Sequence, residues 1–196
     1  IALAILATTY GLYAFLEMPY FRGFVEMSYR SGETGKYFHG FEDLKMVVTL
    51  INILMVLRWV CQELVFVPLA LLVKPKMKAS QLYKYKDMGF QLVWYTISWI
   101  ASVYYLYTLT DGTLNLDMMW LGQNYATEAK NPHISSIFGF KLFYLCELAF
   151  WLHMILITMI EEKRKDFYVM MAHHFLTSGL IGVSYFQNGR LNIFTP

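Results

Sequence analysis

Long apolar runs alternate with short polar breaks along this chain, and the runs exceed the length of ordinary strands. Apolar residues dominate 1–16, 44–73, 88–109, 139–160 and 167–186. Between them collect Lys, Arg, Asp, Asn, Gly and Pro. A bilayer core of roughly 30 Å takes about 20 helical residues to cross, so each run reads as a membrane-spanning helix, the first of them partial. Glu17-Met18-Pro19 closes the first run and Val73-Lys74-Pro75 the second, because proline has no N–H with which to carry a helix onward. Asn131-Pro132 marks a turn in the polar 111–132 loop. The pattern predicts an all-α protein, a multi-pass transmembrane helical bundle with about five spans present.

Composition strengthens this picture. Of 196 residues, 57% are apolar and 15% charged, against roughly 45–50% and about 25% in ordinary globular domains. A net charge of +2, with no basic run interleaved with aromatics, argues against a nucleic-acid partner. Cys61 and Cys146 lie mid-run and read as free, buried thiols. The chain begins at Ile1 without a methionine, so a fragment is expected, and 1–16 lacks the basic start and cleavage site of a signal peptide.

Lys and Arg set the orientation. Lys74, Lys76, Lys78, Lys84 and Lys86 lie between the second and third runs, and Lys163, Arg164 and Lys165 between the fourth and fifth. Alternation puts both groups on the cytosolic side and the 111–132 loop on the other. Arg22, Arg30 and Lys36 oppose the rule on the non-cytosolic side. Residues 1–43 then comprise a partial first helix and a non-cytosolic loop, and 44–196 a membrane domain.

Polar residues inside such runs need a reason, since a charge at mid-bilayer costs about 2.5–3.5 kcal/mol on insertion scales. Arg58 and Gln62 share a helix face, with Glu63 turned away, so Arg58 and Glu63 should find partners on other helices or contact substrate. Glu147 and Trp151 also share a face; Glu147 would partner a histidine of the next helix or bridge helices. His153, on another face, reads as a packed histidine.

The last run is the most informative. Asp166, His173, Thr177 and Ser184 fall near one line of a helix, and His174, Ser178, Tyr185 and Asn188 near a second, making a polar wedge in an apolar cylinder. His173 lies roughly 10 Å along the helix from Asp166, where a soluble reactant from the cytosol and a lipid partner could meet. Imidazole suits acyl or proton transfer because it titrates near neutrality. Three readings of the residues stand: a paired-histidine transferase site, a haem or metal ligand pair, or structural histidines bonded across helices. A diiron site needs more histidines than the five present.

The ordered set Lys163-Arg164-Lys165-Asp166-Phe167, His173-His174, Thr177, Ser184-Tyr185 and Asn188 resembles the signature of ceramide synthases, the sphingoid-base N-acyltransferases of the TLC-domain family. The segment from Phe143 to Trp151 resembles the stretch that precedes it. Thr34-Gly35-Lys36-Tyr37, Gly40-Phe41-Glu42-Asp43-Leu44 and Arg58 ahead of Pro68-Leu69-Ala70 resemble fungal-type members. The resemblance runs from Tyr29 to Asn188.

It implies a multi-pass enzyme of the endoplasmic reticulum membrane that moves a fatty acyl group from acyl-CoA to sphinganine or phytosphingosine, giving a ceramide or dihydroceramide and free CoA. By the resemblance, His173 and His174 are the catalytic pair. Candidates for contacting substrate or supporting the pair are Asp166, Thr177, Ser184, Tyr185, Asn188, Glu147, Trp151 and Arg58. Lys163, Arg164 and Lys165 are candidates for the CoA phosphates. No metal or other cofactor is implied beyond the acyl-CoA co-substrate. Fungal relatives imply a small single-span partner subunit or an oligomer.

One departure stands out. The family pattern continues past the asparagine into a helix with two aspartates, whereas this chain runs Gly189-Arg190-Leu191-Asn192-Ile193-Phe194-Thr195-Pro196. A larger TLC-type helical barrel cut short is the expectation. The competing reading is a non-catalytic TLC-domain membrane protein that binds lipid or assists translocation, or an inactive fragment of the synthase.

Overall fold

The computed structural model describes residues 7–8, 10–11, 19–30, 37–109, 138–160 and 166–186. Its regular structure there is helical: α1 (Pro19–Val25), α2 (Asp43–Val73), α3 (Ala79–Leu109), α4 (Phe138–Ile160) and α5 (Phe167–Phe186). The one exception is an isolated antiparallel bridge between Arg30 and Tyr37. Two helices, Asp43–Val73 and Phe138–Ile160, are long and apolar enough to cross a membrane. Most of the first apolar run, Lys163, Arg164, Lys165, Asn188 and the 111–132 loop lie outside the described residues.

Helix α3 starts at Ala79, ahead of the apolar run that opens at Met88. Lys84 and Lys86 therefore sit on a helix and not in a loop. The reason is local: Gln81, Leu82, Lys84 and Lys86 are good helix formers, and nothing breaks the chain until Pro75 is reached. Helix α2 also departs from a uniform cylinder. Residues Gln62–Phe66 form a π-helical turn, closed by the Val67 N–H donating to the Gln62 carbonyl. Pro68 follows at once; it has no N–H for the carbonyl four residues back, and the wider turn accommodates that gap. Phe66 from this turn lies against Gly89 of α3, where an added Cβ would come within 2.7 Å of its ring.

Helix α4 is the hub. It packs most extensively against α5 and against the first part of α2. Leu145, Leu148, Ala149, Phe150 and Met154 of α4 are buried with Val47 and Leu54 of α2, Phe90 of α3 and Tyr185 of α5. Aromatic stacking joins α3 to it: Trp94 lies flat on Phe150, with ring centroids 4.6 Å apart and planes within 4°.

Two buried ion pairs hold opposite ends of the bundle. At one end Lys141 Nζ lies 2.8 Å from Asp43 Oδ1, with side-chain exposures of 0% and 1%. The same ammonium donates to the carbonyls of Ser28 (2.9 Å) and Phe38 (2.7 Å). The other oxygen of Asp43 accepts from Tyr185 Oη at 2.7 Å and from the Gly40 N–H at 3.0 Å. This single node ties α2, α4 and α5 to Ser28, Phe38 and Gly40. Asp43 is also the first residue of α2, where a carboxylate complements the helix dipole.

At the other end, Arg58 Nη2 meets Asp87 Oδ1 of α3 at 2.5 Å, and Gln91 Nε2 donates to Asp87 Oδ2 at 3.2 Å. One turn on, Lys86 Nζ pairs with Glu63 Oε1 at 2.8 Å. His153 is fully buried, its ring 6.3 Å from that of Phe90 of α3 and 6.1 Å from that of Phe150 of α4.

Removing one partner of a buried pair strands the other charge, at a cost of about 3–5 kcal/mol. Lys141→Met should therefore lower the thermal unfolding midpoint of the detergent-solubilised protein sharply. The double change Asp43→Asn with Lys141→Met should recover much of that loss, as followed by the same melt.

Candidate active site

Helix α5 forms from Met, Ala, Leu and aromatic residues that favour or tolerate the helix, with Asp166 immediately before it. The Met170 N–H donates to the Asp166 carbonyl at 3.0 Å and closes the first turn. The two polar lines of this helix separate by burial. His174, Ser178 and Tyr185, on one line, are its buried residues. On the other, Asp166 and His173 are exposed, while Thr177 and Ser184 are half-buried. The buried line therefore faces the seam with α4, and the second line forms its open edge.

Trp151 of α4 meets both histidines. Its ring lies 5.6 Å from His173, edge to face at 87°, and 5.6 Å from His174 at 46°. The two imidazoles are 5.8 Å apart. His174 is 2% exposed, and its Nδ1 has no hydrogen-bond partner among the described residues. His173 is open on the outer side of the seam. The pair thus presents one imidazole that a reactant can reach and one that is buried, both against the same indole. Thr177 Oγ1 donates to the His173 carbonyl at 2.8 Å, and Ser178 Oγ to that of Phe175 at 3.1 Å. Both hydroxyls serve the helix backbone.

The remaining candidates fall in three places. Glu147 is half-buried one turn along α4 from Trp151 and accepts a short hydrogen bond from Ser98 Oγ of α3; it bridges helices and does not meet a histidine. Ser184 Oγ lies 3.4 Å from Tyr144 Oη, and Tyr185 is bonded to Asp43, both toward the Asp43 end. Arg58 is in the ion pair with Asp87 and reaches Met154 Sδ of α4 at 3.7 Å. The structure thus brings His173, His174 and Trp151 together, sets Glu147 one turn along α4 from Trp151, and places Arg58 and Tyr185 in the frame. Both cysteines are free thiols.

Residues 84–196 match the family model described as the TLC domain. The chain belongs to the TLC-domain family. Similar proteins are a sphingosine N-acyltransferase-like protein of Alternaria alternata, 27% identical over 83% of this chain and 35% of its own length, and a sphingosine N-acyltransferase of Schizosaccharomyces pombe, 26% identical over 85% of this chain and 40% of its own. Ceramide synthase 4 of Mus musculus is 36% identical over a shorter stretch, 44% of this chain and 22% of that protein. The chain thus spans well under half the length of each of these relatives.

The asymmetry of the pair is directly measurable. With Cys61 and Cys146 replaced by Ala, a thiol introduced by His173→Cys should react with a small methanethiosulfonate reagent in detergent several-fold faster than one introduced by His174→Cys.

Proposed function

We propose that this TLC-domain chain carries the histidine half of an N-acyltransferase site that moves a fatty acyl group from acyl-CoA to the amine of a sphingoid base, releasing CoA. The observation that carries the reading is the His173–His174 pair seated on Trp151 at the α4–α5 seam. The relatives' names, sphingosine N-acyltransferase and ceramide synthase, point the same way. In this reading the protein is a multi-pass membrane protein of the endoplasmic reticulum. Helices α2 to α5 cross the bilayer as part of a TLC-type helical barrel, and the basic segments of residues 74–86 and 163–165 lie on the cytosolic face.

The chemistry follows from what imidazoles can do at such a place. The sphingoid ammonium must lose a proton before its nitrogen can attack the thioester carbonyl, and the departing thiolate must gain one. One histidine takes the proton the nitrogen loses before attack and the other supplies one to the thiolate; the second proton the nitrogen sheds on becoming an amide goes to water, so the pair ends with the charge it began with. In a covalent variant, one imidazole attacks the thioester first, CoA leaves, and the amine then displaces the acyl group from the ring. His173, the exposed member, is the better placed to meet acyl-CoA; His174, the buried one, faces the seam.

Two measurements test this in the full-length membrane protein that contains the chain. His173→Ala and His174→Ala should each lower the kcat for ceramide formation by about 10²–10⁴-fold; unchanged rates for both would remove the catalytic assignment. Neutralising Lys163, Arg164 and Lys165 together should raise the KM for acyl-CoA and leave that for the base alone, measured by varying each substrate in turn.

A further inference from the structure

Four carboxylates lie within helices α2 to α5, and three of them face a cation: Asp43 faces Lys141, Asp87 faces Arg58 and Glu63 faces Lys86. Glu147 is the exception. It is half-buried mid-way along the apolar helix α4, it accepts a hydrogen bond from the neutral Ser98 hydroxyl, and no cationic side chain pairs with it among the described residues. An ionised carboxylate in such surroundings is costly without a counter-charge, so the site is primed for a cation.

Its position says which cation. Glu147 precedes Trp151 by one helical turn, roughly 6 Å, on the same face of α4, and Trp151 is the residue on which both imidazoles rest. Beyond Glu147, away from the histidines, the α3–α4 contact continues as an aromatic row. Tyr105 packs on Phe140 at 5.6 Å and on Phe143 at 5.5 Å, and Phe140 packs on Tyr144 at 5.1 Å. A carboxylate with a reactive pair on one side and an aromatic row on the other matches a long-chain amine whose cationic head lies beside the histidines and whose hydrocarbon tail runs along the row.

We propose that Glu147, whose Oε1 accepts from Ser98 Oγ, is the anchor for the ammonium of the long-chain base. The inference rests on the acyltransferase reading and adds to it a residue that selects the amine substrate by charge. Ser98 sets the carboxylate's rotamer from the neighbouring helix and so acts as a positioning residue. Acyl-CoA, which carries no cation at its reacting end, makes no use of this contact.

The test uses the full-length protein in detergent with two readouts. In turnover, Glu147→Gln should raise the KM for the sphingoid base by about tenfold, the worth of one charge-assisted hydrogen bond, and change the KM for acyl-CoA less than twofold. Glu147→Asp, which keeps the charge on a shorter arm, should recover part of the loss. In binding, an N,N,N-trimethylated long-chain base, which cannot be acylated, should bind the wild type more tightly than the long-chain alcohol of equal length, and Glu147→Gln should erase that difference. Equal affinity of the wild type for the two ligands, or a base KM that Glu147→Gln leaves unchanged, overturns the anchor. A wild type that binds the cation selectively yet forms no ceramide supports the anchor and refutes the acyltransferase reading instead.

Discussion

Charge inside an apolar bundle must be matched, and the arrangement of these helices follows from how that is done. Asp43 and Lys141 sit at 1% and 0% exposure, where neither could stand without the other. Because their remaining hydrogen-bonding capacity is taken up by Tyr185, Gly40, Ser28 and Phe38, the pair fixes the start of α2, the start of α4 and the end of α5 at one level. Arg58 with Asp87 does the same for α2 and α3 toward the opposite end. Apolar packing alone allows helices to slide; these two nodes set their register.

That register has a chemical consequence. Tyr185 and His174 lie on the same line of α5, so anchoring the tyrosine to Asp43 also settles the depth and rotation at which His174 enters the seam. Trp151 is likewise fixed by α4, whose rotation is set by Lys141 below and by the Trp94–Phe150 stack beside it. The histidine pair is therefore oriented by residues well away from it, on rigid helices and not on loops. Glu147 stands apart from this pattern of matched charge, one turn along α4 from Trp151.

Much of the helical layout was legible in the apolar runs. The stretches read at 139–160 and 167–186 correspond to helices Phe138–Ile160 and Phe167–Phe186, and the two polar lines of the last helix follow from its period of 3.6. The pairings were not legible. Lys141 stands just inside an apolar run and Asp43 just outside another, so the charges were visible, but 98 residues of chain separate them and only tertiary packing brings them together. Lys86 falls between the apolar runs, where charge masks the helical propensity of residues 79–87, and Asp87 carries no signal of its own; their partners Glu63 and Arg58 lie on the faces of α2 that the spacing marks as needing one. Glu147's link to Ser98 could not be foreseen, since a serine within an apolar helix more often bonds to its own backbone, as Ser102 does to the Ser98 carbonyl.

The central claim is that acyl transfer takes place where His173 and His174 meet Trp151. An experimental structure of the full-length protein with a non-hydrolysable acyl-CoA analogue bound tests it most directly. The account predicts the carbonyl of the analogue within about 3–3.5 Å of a ring nitrogen of one of the two histidines, with the CoA moiety leaving the bundle at the Asp166 end of α5. A carbonyl bound away from both imidazoles, with the seam filled by lipid alone, would contradict it.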